Sequence, residues 1–234
     1  MIDIHSHVIY GVDDGSPDLE TSLKMLSAMS AIGTDGVVCT PHYRKPYNKP
    51  VDIIKENFNA LKAAAAERGI PVQLYLGQEI YCKADEYKEL LKSGKVLTIN
   101  EGKSVLLEFD FNDYIDIADV VYETKAMGLT PIVAHVERYP YVTVDDVYEI
   151  KRSGGLIQVN SDSVIGKSGR GVKKFVKRLF NEGFVDFVAS DLHPNRNDSL
   201  DKAYQYVKKK FGEDAAEVTF NATAKSIIRG QTKV

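Results

Sequence analysis

Residues 1–7 read MIDIHSH. A short apolar run, Ile2–Ile4, leads straight into two histidines spaced i and i+2. Side chains alternate faces along an extended chain, so His5 and His7 share one side, roughly 6–7 Å apart, and can pinch one cation. The spacing returns near the other end of the chain as Asp191 and His193. Between them stand Asp13 or Asp14, His42, Glu79, Glu108 and His135, nearly every one just after an apolar run. The chain holds five histidines, and all five occupy such positions. This placement predicts a multinuclear metal site at one end of a barrel, because barrel enzymes build their sites at the C-terminal ends of strands.

The apolar runs set the fold class. Ile2–Ile4, Gly36–Thr40, Val72–Leu76, Ser104–Leu107, Pro131–Ala134, Leu156–Val159 and Val185–Ala189 are short and mostly rich in Val, Ile or Leu, as buried parallel strands are. Amphipathic stretches fill the gaps. Ser16 reads as an N-cap and Pro17 as the first position of a helix ending near Gly33, with Leu19, Leu23, Leu26 and Met29 as its buried stripe. Further helices are predicted at Val51–Arg68, Tyr114–Met127, Val144–Arg152, Val172–Asn181, Leu200–Phe211 and Ala222–Ile228. Strand–helix alternation implies an α/β protein with a parallel sheet. Seven units predict a closed or nearly closed barrel, TIM-like with one unit missing; a doubly wound open sheet is the alternative. No Pro/Ser-rich linker, low-complexity tract or repeat marks a boundary, so residues 1–234 are expected to form one domain.

The composition, 44% hydrophobic and 27% charged, is ordinary for a globular enzyme. A formal charge of −3 argues against a nucleic-acid-binding surface. No apolar run reaches membrane-spanning length, and the N-terminus lacks the pattern of a signal peptide. Cys39 and Cys82 make no disulfide framework, so a cytoplasmic location is expected.

Mixed imidazole and carboxylate donors without thiolate suit Mn, Fe or Zn, and several cations together suit hydrolysis of an anionic substrate. The strand at Leu156–Val159 delivers Asn160 and Ser161 but no obvious ligand. Arg138 and Arg196 follow His135 and His193 by three residues and are placed at the mouth of the site. There a guanidinium fork matches phosphate oxygens, the alternative for each being a surface arginine. Thiol phosphatases need five residues between Cys and Arg, whereas Cys39 and Arg44 have four between them and Cys82 has no following Arg in range. Cys39 reads as a small core residue. Gly166-Lys167-Ser168 is no P-loop, because Ser161 stands where the first glycine belongs. Lys173, Lys174, Lys177 and Arg178 read as a solvated helix face, with Phe175, Val176 and Leu179 turned inward.

DIHSH followed by GVDDGS, TPHY, GQEIY, LLEF, AHVERY and SDLH, from residue 2 to about residue 196, resembles the polymerase-and-histidinol-phosphatase (PHP) superfamily. Within it, the chain is most similar to the bacterial manganese-dependent protein tyrosine phosphatases of capsule and exopolysaccharide clusters. The resemblance implies a distorted TIM-like (β/α)7 barrel of the PHP type and up to three Mn2+ ions. His5, His7, Glu79 and Asp191 would hold the first; Glu79, bridging, with Glu108 and His135 the second; Asp14, His42 and His193 the third. The implied substrate is a phosphotyrosine protein, the tyrosine-rich tail of a membrane-associated bacterial tyrosine kinase. Three other readings stand beside it: a small-molecule phosphatase of the histidinol phosphate type, a nuclease or polymerase-associated editing domain, and a non-catalytic metal-binding scaffold that docks a kinase.

Overall fold

Short runs of apolar, mostly branched residues pair side by side as buried parallel strands, and the amphipathic stretches between them cover the outside. The computed structural model of the chain describes residues 1–82 and 86–230; the expected single domain, 1–234, includes residues outside that set. The strands are β1 (Ile2–Ser6), β2 (Gly36–Cys39), β3 (His42–Tyr43), β4 (Gln73–Leu76), β5 (Glu79–Tyr81), β6 (Ser104–Glu108), β7 (Thr130–Val133), β8 (Leu156–Asn160) and β9 (Phe187–Ala189). They pair in parallel, in the orders β1-β2-β4 and β3-β5-β6-β7-β8-β9.

Two of the seven expected strands, Gly36–Thr40 and Val72–Leu76, form as β2 and β4, and each is continued past a break by a short strand the sequence reading did not include, β3 and β5. One break falls at Thr40–Pro41, where proline has no N–H for a ladder. The other falls at Gly77–Gln78, where a Cβ on residue 77 would meet Ile99 and Val38 side chains at 3.2 and 3.3 Å. Because β2 pairs with β4 and β3 with β5, the halves stay in line and the seven positions follow one another round a curl. The curl meets itself at a parallel bridge between Ser6 and Leu192. There the Asp191 N–H donates to His5 O (2.9 Å) and the His7 N–H to Leu192 O (3.0 Å). Buried Asp3 stitches the same seam, accepting from the Ser190 N–H at 3.1 Å and from the Ser190 hydroxyl. The barrel-like expectation holds, and a sheet whose edges meet is not a doubly wound open one.

The outer layer is α1 (Leu19–Ala31), α2 (Val51–Glu67), α3 (Glu86–Lys92), α4 (Ile117–Ala126), α5 (Val144–Arg152), α6 (Ser161–Ile165), α7 (Arg170–Asn181), α8 (Leu200–Phe211), α9 (Glu213–Glu217) and α10 (Thr223–Ile228). The expected start of the first helix is corrected. Its N-cap is Asp18, whose carboxylate accepts from the Thr21 N–H at 2.7 Å, so Ser16 and Pro17 precede the helix. Ser16 is buried, donating to the Asp18 carbonyl and accepting from the Ser22 hydroxyl. Likewise α4 starts at Ile117 and not Tyr114, because Asp116 caps it by accepting from the Asp119 N–H at 3.1 Å. On α7, Val176 and Leu179 are buried while Phe175 is only partly so. Lys174, Lys177 and Arg178 face outward, but the Lys173 ammonium donates to Ile165 O and lies 4.7 Å over the Tyr206 ring.

Leu23, Leu26 and Met29 of α1 are buried, while Leu19 is only partly so. Leu26→Ala is therefore expected to cost about 2–5 kcal/mol of unfolding free energy. Leu19→Ala should cost distinctly less, as read by urea titration of the two variants beside the parent.

Candidate metal centre

His5 and His7 emerge side by side at the end of β1, with their Nε2 atoms 3.2 Å apart. A partner behind each ring sets its orientation: His5 Nδ1 donates to Gln158 Oε1 (3.1 Å) and His7 Nδ1 to Asp13 Oδ2 (2.8 Å). Both Nε2 lone pairs consequently face the same interior point, as metal-ligating imidazoles do. Asp13 also accepts from the N–H groups of Gly15 (2.9 Å) and His42 (3.0 Å), so its oxygens are committed. Its neighbour Asp14 faces the site, with Oδ1 3.4 Å from His42 Nε2 and 3.5 Å from His193 Nε2. This loop folds onto His7 only because residue 15 is glycine; a Cβ there would lie 2.2 Å from His7 O.

Glu79, at the start of β5, is the hub. Its Oε1 lies 3.3 Å from His5 Nε2 and 3.0 Å from His135 Nε2. Its Oε2 lies 3.6 Å from His7 Nε2 and 2.7 Å from His42 Nδ1. Asp191 Oδ1 is 3.6 and 3.5 Å from the Nε2 atoms of His5 and His7. Glu108, ending β6, reaches within 3.7 Å of His42 and 4.0 Å of His135. Among the described residues, three sets have donor atoms all within 4.8 Å of one another: His5, His7 and Glu79; His42, Glu79 and Glu108; and His7, Asp14, His42 and His193. Together with His135 and Asp191, which these sets do not include, all nine residues anticipated as ligands lie at one end of the curl.

These donors fit cations better than they fit each other. His42 Nδ1 and Glu79 Oε2 are buried and 2.7 Å apart, yet they lack the alignment of a hydrogen bond, and His135 Nδ1 has no partner either. Buried polar atoms are ordinarily satisfied, so the unpaired His42 Nδ1 and Glu79 Oε2, face to face inside the site, are what a metal site leaves behind. Backbone geometry agrees. His135 and Asp191 adopt left-handed φ of 30° and 51°, which costs about 1–3 kcal/mol each for a residue with a side chain. The His135 N–H donates to Gln158 Oε1 at 2.8 Å, and that of Asp191 is held by His5 O across the seam.

Three contributors were not foreseen. Gln158 and Asn160 of β8 are no ligands but orient them, since Gln158 Nε2 donates to Asn160 Oδ1 (2.8 Å) and Asn160 Nδ2 to Asp191 Oδ2 (3.1 Å). Two polar residues at i and i+2 in an otherwise apolar strand were the available signal. The third is Arg44, with Nη1 3.4 Å from Glu108 Oε2. At the rim, Arg138 Nη1 lies 3.1 Å from Asp191 Oδ2 with its guanidinium 4.6 Å over the Phe111 ring, and Arg196 Nη1 lies 3.5 Å from the same oxygen. All three arginines line a cavity of about 180 Å3 with Asp14, His42 and Glu108.

Charge follows this geometry. Burial opposes ionisation of Glu79 and Asp191, but the imidazoles around them, His5 foremost, hold both carboxyls well below their ordinary range. Burial also opposes charge on His5, yet Glu79 and Asp191 raise its pKa to about 9. Glu108 is pushed up to about 8 by burial and by Glu79. Burial pushes the thiols of Cys39 and Cys82 far above their ordinary range, which removes them as nucleophiles.

The family described as capsular polysaccharide synthesis, CpsB/CapC, matches residues 1–229. The chain belongs to the CpsB/CapC family. A relative from Streptococcus agalactiae, the tyrosine-protein phosphatase CpsB, is 35% identical over 98% of each chain. A solved chain from the crystal structures of YwqE from Bacillus subtilis and CpsB from Streptococcus pneumoniae, described as unique metal-dependent tyrosine phosphatases, superposes with a TM-score of 0.90. It is 29% identical and covers 100% of this chain and 96% of that one. Histidinol phosphate phosphatase from Lactococcus lactis shares the fold at a TM-score of 0.54 and 13% identity, over 88% of this chain and 93% of that one. This CpsB/CapC chain therefore has the curled parallel barrel common to these hydrolases.

The proton affinities carry a pH signature. His5 binds its proton up to about pH 9 in the folded chain, against 6.5 as the ordinary value, and Glu108 up to about 8 against 4.5. Between 6.5 and 9 the folded state holds more protons than the unfolded one, so stability falls as pH rises through that window. Chelated protein should accordingly lose melting temperature from pH 6.5 to pH 9. Added Mn2+ should flatten the slope, because bound ligands no longer exchange protons. A flat profile in chelator by differential scanning fluorimetry counts against the charge arrangement.

Proposed function

We propose that this chain is a metal-dependent protein tyrosine phosphatase. The observation that carries the reading is the Glu79-centred donor set beneath two rim guanidiniums, in a family whose relatives are named tyrosine-protein phosphatases. We assign Mn2+ as the metal and up to three ions: His5, His7, Glu79 and Asp191 for one, Glu79, Glu108 and His135 for the next, and Asp14, His42 and His193 for the third. All-imidazole-and-carboxylate donors suit Mn2+. Ions held there supply Lewis-acid polarisation of water and of phosphoryl oxygens.

The chain's own residues bind and orient the ester. Arg138, stacked on Phe111, and Arg196 offer forked N–H donors to the phosphoryl group and neutralise charge that grows toward the transition state. Gln158 and Asp13 keep His5 and His7 in their donor orientation. A phenolate leaves readily and needs little protonation. The substrate in this reading is phosphotyrosine on a bacterial tyrosine kinase of a capsule or exopolysaccharide pathway, supported by the family's role in capsular polysaccharide synthesis. Cytoplasmic residence belongs to the same reading, supported by two buried, unpaired cysteines. No helix among the described residues is long and apolar enough to cross a membrane.

Turnover of a phosphotyrosine peptide should exceed that of histidinol phosphate, vanish on chelation and return best with Mn2+. Faster hydrolysis of histidinol phosphate, or full activity after verified metal removal, contradicts the reading. Arg138→Ala should keep its metal content while turnover falls on the order of 10²–10³-fold, the usual cost of losing a transition-state donor. His135→Ala should lose metal instead, and elemental analysis beside kinetics separates the two.

A further inference from the structure

Arg44 follows β3 directly and reaches back over the metal cavity. Its Nη1 lies 3.5 and 3.4 Å from the two oxygens of Glu108, and its Nη2 lies 3.8 Å from Asp14 Oδ2. These contacts are long: a charge-assisted N–H···O bond ordinarily closes to about 2.7–2.9 Å. Glu108 therefore does not saturate the guanidinium, which carries five donors. The side chain is 29% exposed, with the head at the rim.

Position matters as much as unspent donors. Arg138 and Arg196 both lean on Asp191 Oδ2, on one side of the cavity. Arg44 leans on Glu108 and Asp14, acids other than the one those two arginines share. It also lines the larger neighbouring groove of about 760 Å3 with Tyr43, Tyr47, Tyr81 and Phe111. It thus stands where the metal cavity opens into an aromatic groove. A phosphoryl group has three non-bridging oxygens, and donors approaching from one side alone leave it free to rotate about the line of attack.

We propose that Arg44 is a third phosphoryl-binding residue, taking an oxygen of the substrate from the Glu108 side of the cavity. The assignment rests on the phosphatase reading and adds a residue to it. The competing role is a prop that merely holds Glu108 for a metal.

The two roles separate by sign. Arg44→Ala and Arg44→Lys are titrated calorimetrically with Mn2+ alone, then with inorganic phosphate once loaded, and assayed on 4-nitrophenyl phosphate. In Arg44→Ala, phosphate affinity and kcat/KM should each fall roughly 10- to 100-fold, the ordinary loss for a hydrogen bond to a charged group. Mn2+ affinity should stay equal or tighten, because a positive charge beside Glu108 and Asp14 is gone. Arg44→Lys should recover only part, since an ammonium keeps the charge without the fork. Weakened Mn2+ binding in Arg44→Ala, or phosphate affinity equal to the parent's, overturns the assignment. A parent protein that binds Mn2+ but neither binds phosphate nor turns over the aryl ester overturns the phosphatase reading, and the role of Arg44 with it.

Discussion

One carboxylate is buried against four imidazoles. The two oxygens of Glu79 face His5, His7, His42 and His135, and the side chain is almost wholly buried. Burying an ion is costly unless opposite charge or a good set of hydrogen bonds compensates. Much of the surrounding structure meets that requirement. Strand β1 delivers two histidines on one face, and the Pro41 break lets His42 turn in beside Glu79. The left-handed turns at His135 and Asp191 bring their side chains in over the strand ends.

Much of this was legible in the sequence because the constraint is periodic. His5 and His7, and again Asp191 and His193, carry the i, i+2 signature of a chain emptying one face into a common cavity. Glu79, Glu108 and His135 follow apolar runs that had to be buried strands. The seven-unit count survived for the same reason. The strand breaks did not show, because Pro41 and Gly77 act through contacts with neighbouring strands and with Ile99, far away in sequence.

Other features were hidden by degeneracy. Ser16-Pro17 and Asp18 both make sound helix starts, and what decides between them is that Asp18 accepts from the Thr21 N–H while the Ser16 hydroxyl is engaged by Ser22 and the Asp18 carbonyl. Asp13 and Asp14 are indistinguishable by type; what separates them is that Asp13 already accepts from His7, Gly15 and His42. By sequence, Arg44 reads only as the arginine that a thiol motif would need. Its meaning lies in which acids it leans on, Glu108 and Asp14, and the chain order says nothing of that.

The seam between Ser6 and Leu192 has a mechanical consequence. His5 and His7 sit on one lip of it and Asp191 on the other, so an ion shared among them would fasten the first strand to the last. Closing a loop as long as that between residues 7 and 191 removes more freedom from the unfolded ensemble than closing a short one. Such an ion would work as a clasp, giving a protein without a disulfide the kind of long-range cross-link that a secreted domain obtains by oxidation. Loading the centre would then add a side-chain rivet to a seam that backbone hydrogen bonds already close.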